Sequence, residues 1–355
     1  MADPAFWSQQ RVLLTGHTGF KGAWLSVWLS RWGAQVFGYS LAPETEPALW
    51  NRFDAPLVKV STIADVRDSE ALRSAVDAAD PTIVMHLAAQ PLVRRSYRMP
   101  VDTFTTNVDG TINLLDCLRG RSSLRAVLVV TTDKVYRNLE DGRAFREDDP
   151  LGAHDPYSAS KAAAEIAVAS WAQSFFADAG IPVVTARAGN VIGGGDWSED
   201  RIVPDIWRAV QANRQLVLRS PDATRPWQHV IEPLAGYLQY VEACVAGSVP
   251  SALNFGPYPD DILTVGDLAA SMLDAFGATE SWKHDGTPTL REMKTLSLDP
   301  TLAGKAIGWR PLLSSRDAVA WTAEWYRRFK AGDDVVKLCL EQISRYEKLQ
   351  AGKSL

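Results

Sequence analysis

The segment RVLLTGHTGFKG, at residues 11–22, joins a short apolar run to a glycine-rich turn. The run at 11–15 has the composition of a buried strand. Glycines stand at 16, 19 and 22, and an apolar helix face follows with tryptophans at 24, 28 and 32. Unpaired backbone N–H groups and the helix dipole face such a turn. The sequence therefore predicts a dinucleotide pyrophosphate site here.

Strand-like apolar runs and helical patterns alternate through the first half of the chain. Further strands are predicted at 35–39, 82–87, 125–131 and 181–187, and helices at 101–118 and 157–176. This alternation is typical of an α/β fold with a doubly wound parallel Rossmann sheet. Beyond residue 188, glycine, proline and aspartate separate shorter elements. We predict a dinucleotide-binding domain at 1–188, a smaller interleaved α/β substrate lobe at 189–330 and a helical tail at 331–355.

Composition excludes several classes of protein. The 355 residues are 46% hydrophobic and 22% charged, so the chain has ample material for a core. A net charge of −5 without a basic stripe argues against nucleic acid as a partner. We expect no membrane span, because long uninterrupted apolar runs are absent. The three cysteines lack metal or disulfide spacing, which predicts no metal site and a reducing, cytoplasmic location.

The end of the second predicted strand bears on the choice of cofactor. The acidic residue that usually binds an adenine ribose is missing there, and Ser40 is placed to hydrogen-bond a ribose hydroxyl instead. No arginine stands nearby for a 2′-phosphate, which favours NAD over NADP. Asp65 and Val66 fall where a loop could contact the adenine, although Asp65 fits a helix N-cap equally well.

Two clusters carry the expected chemistry. Tyr157 and Lys161 lie one helical turn apart, and an ammonium beside a phenol lowers its pKa toward that of a general base. Thr132, Asp133 and Lys134 follow the fourth predicted strand, where parallel sheets place ligand groups. Thr132 would bind a hydroxyl, a protonated Asp133 would be a general acid, and a neutral Lys134 a base. The alternatives are a solvated helix face and a surface ion pair.

These motifs resemble those of the extended short-chain dehydrogenase/reductases. The resemblance rests on the glycine turn at 15–22, on HLAA at 86–89, on Asn107, on TTD at 131–133 and on the Tyr157/Lys161 pair. Thr132-Asp133-Lys134 is similar to the signature of the nucleotide-sugar 4,6-dehydratases. Within that family, the enzymes that act on CDP-D-glucose are matched by His17, Lys21, Lys134, AGNVIGGGDW at 188–197 and RPWQHV at 225–230.

The resemblance implies a lyase that converts CDP-D-glucose to CDP-4-dehydro-6-deoxy-D-glucose with loss of water, using NAD that is not consumed. Tyr157 would deprotonate the sugar 4-hydroxyl, and Lys161 would hold the nicotinamide ribose. Lys134 would remove the C5 proton, and Asp133 would protonate the departing 6-hydroxyl.

The site predicted from these motifs has two parts. Its cofactor-binding residues are Gly16, His17, Gly19, Phe20, Lys21, Gly22, Ser40, Asp65, Val66, Leu87, Ala88, Ala89, Asn107, Thr131, Tyr157 and Lys161. Its substrate-binding residues are Gln90, Asn190, Arg201, Val203, Arg225 and Asn254. The Arg225 guanidinium suits a pyrophosphate, with a surface salt bridge as the alternative. His17 is predicted to reach the pyrophosphate or the active site, or else to face solvent.

The resemblance also implies a homodimer through a four-helix bundle of the helices at 101–118 and 157–178, or a dimer of such dimers. Three other functions stay open: a 4,6-dehydratase of another nucleoside diphosphate sugar, a 4-epimerase, and a non-catalytic NAD-binding scaffold. Asp133 with Lys134 argues against the epimerase, and the intact Tyr157 and Lys161 argue against the scaffold.

Overall fold

The computed structural model describes residues 1–279, 281–286 and 296–352. Its strands are β1 Arg11–Thr15, β2 Gln35–Ser40, β3 Val60–Ile63, β4 Ile83–His86, β5 Ala126–Val130, β6 Val183–Ala188, β7 Val191–Ile192, β8 Val217–Leu218, β9 Thr224–Arg225, β10 Gln228–His229, β11 Ala252–Phe255, β12 Leu263–Thr264 and β13 Lys283–His284. Seven of them form one sheet in the order β11-β6-β5-β4-β1-β2-β3, and every pairing in it is parallel. This confirms the predicted Rossmann architecture.

Helices cover both faces of this sheet. They are α1 Pro4–Trp7, α2 Phe20–Arg31, α3 Ser69–Ala79, α4 Val93–Arg98, α5 Pro100–Phe104, α6 Gly110–Cys117, α7 Pro156–Trp171, α8 Ile202–Gln211, α9 Ile231–Ala246, α10 Val265–Ala275, α11 Thr301–Ile307, α12 Ser315–Lys330 and α13 Val335–Gln350. No helix among the described residues is long and apolar enough to cross a membrane.

The structure departs from the predicted elements in several places. β3 and β11 were not predicted, and β11 brings residues assigned to the substrate lobe into the central sheet beside β6. The helix expected at 101–118 is interrupted by a π-helical turn at Thr105–Asp109. The helix from 157 ends as an α-helix at Trp171 and continues as a π-helical turn. Such turns add a residue without ending the helix, so side-chain periodicity does not reveal them.

The last helix, α13, packs against α2. Trp28 and Trp32 donate their indole N–H groups to the same carboxylate oxygen of Glu347, at 3.1 and 3.2 Å. Arg31 pairs with the other carboxylate oxygen of Glu347 at 3.2 Å. The back of the helix that follows the glycine turn is therefore held by a residue more than 300 positions later in the chain.

The smaller elements beyond β6 build a lobe over one edge of the sheet. β7 pairs with β10, β9 with β12, and β8 with β13. The carboxyl ends of β1, β2, β4, β5 and β6 all point to this edge because the strands are parallel. A cleft between the sheet and the lobe is the result.

Candidate active site

A cavity of about 1200 Å³ fills this cleft. It runs from the glycine turn and the ends of β2 and β4, past the segment after β5, to the lobe residues between 188 and 227. A volume of this size is large enough for two ligands to lie side by side, since small-molecule sites commonly span about 300–1,000 Å³.

The glycine turn is shaped for close backbone approach. Gly16 has a φ of +75°, and a Cβ on it would lie 2.7 Å from the backbone nitrogen of Ala88. A Cβ on Gly22 would lie 2.1 Å from the carbonyl oxygen of Gly16, so only glycine fits at both positions. Gly19 is the N-cap of α2 and offers no side chain to the first-turn N–H groups. These groups are left for an anion in the cavity, which fits a dinucleotide pyrophosphate.

A pair of hydroxyl groups stands at the end of β2. Thr18 Oγ1 donates to the carbonyl oxygen of Leu41 at 2.7 Å and lies 2.8 Å from Ser40 Oγ. Because the Thr18 hydrogen is committed to Leu41, Ser40 donates to Thr18. Ser40 lines the cavity and therefore presents an acceptor to it. An acceptor suits a ribose hydroxyl and not a phosphate, which supports the NAD preference. Sequence reasoning missed Thr18.

Asp65 and Val66 also line the cavity, at the far end of the cofactor side. The Asp65 carboxylate pairs with Arg67 at 2.7 Å, and this hydrogen bonding lowers the pKa of Asp65. The N-cap alternative for Asp65 is wrong, because the side chain of Asp68 caps α3.

Two residues predicted to bind the cofactor lie away from the cavity surface. The His17 ring is fully buried, 2.7 Å from Ser61 Oγ and edge-on to Trp50, and burial lowers the pKa of His17 to about 4. Asn107 is buried and accepts from the backbone N–H of Gln90 at 2.8 Å, while its amide group donates to Ser160 at 2.9 Å. Asn107 therefore joins the loop after β4 to α7. The other predicted cofactor residues line the cavity.

Lys21 extends from the first turn of α2 into the cavity. Its ammonium lies 5.9 Å from the centre of the Tyr237 ring. Burial and the neighbouring Arg201 lower the pKa of Lys21 to about 7, with Asp133 opposing the change. Lys21 thus belongs to the positive end of the cavity near the catalytic cluster.

Tyr157 and Lys161 both line the cavity, as their helical spacing predicts. Burial raises the pKa of Tyr157 to about 12, opposed by a hydrogen bond with Thr132. This direction is opposite to the predicted one, because burial dominates the pKa of Tyr157. The Lys161 ammonium donates to the carbonyl oxygen of Val130 at 2.9 Å. Burial lowers the pKa of Lys161 to about 8.

Asp133 and Lys134 form an ion pair at 3.0 Å. Lys134 lines the cavity and also lies 3.4 Å from the amide oxygen of Asn190. Asp133 is fully buried beneath the cavity and accepts from the Thr132 hydroxyl at 2.9 Å through the same oxygen that Lys134 contacts. Its other carboxylate oxygen has no hydrogen-bond partner among the described residues. Thr132 and Lys134 therefore separate Asp133 from a bound substrate.

The predicted substrate residues divide into two groups. Gln90, Asn190, Arg201, Val203 and Arg225 line the cavity. Asn254 does not: it is fully buried, where its amide oxygen accepts from the Tyr136 hydroxyl at 2.7 Å. The expectation that Asn254 contacts the substrate is therefore not supported by its position.

Ion pairs that the sequence did not predict cross the mouth of the cavity. Arg95 contacts Glu44 at 2.6 Å and Glu199 at 3.1 Å. Arg94 contacts Asp200 at 2.9 Å. These pairs join the loop after β2 and helix α4 to the segment before α8, so they link the cofactor side to the substrate lobe.

Comparison with known proteins identifies the family. The model of the NAD dependent epimerase/dehydratase family matches residues 12–256. The chain belongs to this family. A CDP-glucose 4,6-dehydratase from Salmonella typhimurium is 40% identical over 353 residues, which cover 98% of each chain.

Two solved structures of nucleotide-sugar enzymes share the fold of this chain. A dTDP-glucose 4,6-dehydratase from Streptomyces venezuelae with NAD bound aligns with a TM-score of 0.76 at 24% identity, covering 92% of this chain and 99% of that one. A UDP-glucose 4-epimerase from Thermus thermophilus in complex with NAD aligns with a TM-score of 0.75 at 25% identity, covering 89% and 98%. The glycine turn and the Ser40 acceptor fit NAD as the cofactor of this chain.

Proposed function

We propose that the chain is an NAD-dependent lyase that converts CDP-D-glucose to CDP-4-dehydro-6-deoxy-D-glucose with loss of water. The observation that carries the proposal is the pairing of the buried Asp133 at 3.0 Å with Lys134, which lines the same cavity as Tyr157 and the glycine turn. A 4-epimerase needs the tyrosine, whereas elimination of water also needs an acid and a base. The 40% identity with a CDP-glucose 4,6-dehydratase supports the nucleotide.

The first step uses the residues in the first turns of α7. Tyr157 takes the proton of the sugar 4-hydroxyl, and its hydrogen bond with Thr132 and the charge of Arg201 assist by opposing the rise in the Tyr157 pKa that burial causes. When bound, NAD would supply the acceptor for the hydride of C4 and, once reduced, the donor of a hydride to C6. Lys161, which lies on the same face of α7 as Tyr157, holds the cofactor ribose.

The second step uses the ion pair. Transfer of one proton from the Lys134 ammonium to Asp133, along their 3.0 Å contact, creates a neutral amine and a carboxylic acid together. The 4-ketone acidifies the C5 proton, which the Lys134 amine removes. The 6-hydroxyl then leaves as water with a proton that Asp133 supplies through the Thr132 hydroxyl, which is hydrogen-bonded to Asp133 and lines the cavity. Return of the C5 proton from Lys134, with hydride delivered to C6, completes a redox-neutral loss of water. The proton that Tyr157 took from the 4-hydroxyl then replaces the one that left in the water.

The test is turnover of CDP-, dTDP- and UDP-glucose and GDP-mannose, followed by mass spectrometry for loss of one water. Loss from CDP-glucose alone supports the proposal. Loss from another donor supports the chemistry and refutes the nucleotide. Inversion at C4 without loss of water indicates the epimerase, and NAD binding without any turnover indicates the scaffold.

Lys134→Met removes the proposed base at nearly constant size. We expect this variant to oxidise C4, seen as absorbance of reduced nicotinamide, without releasing water. Full turnover by the variant would exclude Lys134 from the mechanism.

We also propose a homodimer through α5, α6 and α7. Apolar side chains on this surface are exposed, with Val101 at 73%, Phe104 at 38% and Ile166 at 62%. Light scattering should give a dimer mass, or a tetramer if two dimers join, and Ile166→Glu should reduce it to that of a monomer. We further propose a cytoplasmic location, which agrees with three cysteines that form no disulfide.

A further inference from the structure

A buried ion pair lies beneath the cavity and takes no part in the mechanism above. Glu165 of α7 and Arg187 of β6 are 5% and 4% exposed. Arg187 donates from Nε to one carboxylate oxygen at 2.9 Å and from Nη2 to the other at 2.8 Å. Neither residue lines the cavity, so neither can contact a ligand there.

The pair holds both ends of the catalytic turn. Thr131, which precedes Thr132, donates its hydroxyl to Glu165. Arg187 donates to the Tyr136 hydroxyl at 2.7 Å, and Tyr136 follows Lys134 by two residues. The segment that carries Thr132, Asp133 and Lys134 is therefore fastened before and after to one ion pair.

The same pair holds the helix that carries the other catalytic residues. Glu165 lies one helical turn after Lys161 and two turns after Tyr157 on α7. The Glu165 carboxylate is thus connected both to the turn that carries the acid–base pair and to the helix that carries Tyr157 and Lys161. The negative charge of Glu165 also raises the pKa of Lys161, against the effect of burial.

A buried ion pair is weak evidence for stability, because the cost of removing two charges from water offsets their attraction. Registry is its best-attested role. Tyr136 extends the network to Asn254 at 2.7 Å, which accounts for the buried position of that residue on β11. Among the described residues, the pair has hydrogen bonds to both ends of the catalytic turn, at Thr131 and Tyr136, as a registry role requires. Its other partners are Thr185 and the carbonyl oxygen of Glu147.

We propose that Glu165 and Arg187 are positioning residues that hold the turn at 131–136 in register with Tyr157 and Lys161. The proposal rests on the proposed function, since it assigns these residues to the elimination of water. Both residues act through their neighbours. Misplacement of a reacting group by about 1 Å can cost roughly a hundredfold in rate, so loss of one anchor should be visible in the chemistry.

Two threonines give a matched test, because both donate to the same carboxylate. Thr131 contacts one oxygen of Glu165 and Thr185 of β6 contacts the other at 2.8 Å, and both threonines are buried. Only Thr131 belongs to the catalytic turn. Thr131→Val and Thr185→Val should therefore lower the melting temperature similarly, while only Thr131→Val should slow water loss.

In single turnovers with CDP-glucose, we expect Thr131→Val to slow water loss about tenfold and to accumulate reduced nicotinamide. Tyr136→Phe, which frees the other end of the turn from Arg187, should act in the same direction. Thr131→Ser should restore the wild-type ratio of water loss to C4 oxidation. Equal ratios in the Thr131→Val and Thr185→Val variants would overturn the proposal, because a purely structural role lowers the amount of active enzyme without changing that ratio.

Failure of the proposed function is distinguishable, because the wild-type protein would then release water from no nucleotide sugar. In that case the phenol of Tyr157 serves as the probe, since Thr132 of the turn is hydrogen-bonded to it. The pH midpoint of its ionisation is measured by ultraviolet absorbance, as the difference between each protein and the same protein carrying Tyr157→Phe. This midpoint should shift in Thr131→Val and stay unchanged in Thr185→Val. The same titration in both variants would again refute the registry role.

Discussion

Glu232 offers a stability change whose size follows from the structure. This fully buried carboxylate of α9 accepts from the backbone N–H groups of Leu312 and Leu313 at 2.8 and 2.6 Å, and from the Tyr346 hydroxyl of α13 at 2.7 Å. Burial nevertheless raises the pKa of Glu232 from 4.5 to about 7. A difference of this size between the folded and unfolded chain corresponds to about 3 kcal/mol.

The direction in which pH changes the free energy of unfolding follows from the number of protons that the folded and unfolded chains bind at Glu232. Below pH 4.5 the carboxyl is protonated in both the folded and the unfolded chain, so it does not affect the pH dependence of stability. Between this value and about pH 7 the folded chain binds more protons than the unfolded one, so the free energy of unfolding falls as the pH rises. Above about pH 7 the full penalty of about 3 kcal/mol is present.

Glu232→Gln removes the ionisation and keeps an oxygen for the two backbone donors. We expect the variant and the wild type to unfold at similar urea concentrations near pH 5, with the variant more stable by up to about 3 kcal/mol near pH 8. Tryptophan fluorescence at both pH values measures this difference. Glu242, whose pKa burial also raises to about 7, is present in both proteins and cancels. Parallel pH profiles of the two proteins would refute the reasoning.

Two further predictions concern the cofactor site. Gly22→Ala should abolish NAD binding in a fluorescence titration, because its Cβ would lie 2.1 Å from the Gly16 oxygen. The control Gly19→Ala, whose Cβ would lie 3.4 Å from that oxygen, should still fold. Equal losses of thermal stability in the two variants would contradict this difference. Thr18→Val should free the Ser40 hydrogen for donation to a phosphate and reduce the ratio of NAD to NADP affinity, measured by calorimetry, about tenfold. Thr18→Ser keeps the hydroxyl and should leave this ratio unchanged. The same ratio in both variants would exclude the hydroxyl pair as the determinant of cofactor preference.

Features of the fold and site that depend on local spacing could be predicted from the sequence. The glycine turn, the Tyr157/Lys161 face and the polar turn after β5 each lie within a few residues, and the parallel sheet brings them to one edge. β3 escaped prediction because it is an edge strand whose exposed residues form no apolar run. β11 escaped because it is only four residues long, contains the polar Asn254 and is followed directly by Gly256 and Pro257.

Contacts between distant residues account for the other differences. His17 is buried because Gly38, with no side chain, leaves room for its ring: a Cβ there would lie 2.5 Å from the imidazole. Arg187 stands inside a buried strand, where its charge requires a partner. Nothing in the sequence identified Glu165 as the partner, or connected Arg187 with Tyr136 and the catalytic turn.

The contact of α2 with α13 bears on how this protein is made. During synthesis, the helix that begins at the glycine turn leaves the ribosome early, while its partner Glu347 emerges only after more than 300 further residues. Until then, the indoles of Trp28 and Trp32 have no carboxylate to receive their hydrogen bonds, and α2 lacks its cover. Contacts of such long sequence separation form late and slowly. The helix that opens the cofactor site is therefore translated among the first parts of the chain and receives its contacts with α13 among the last.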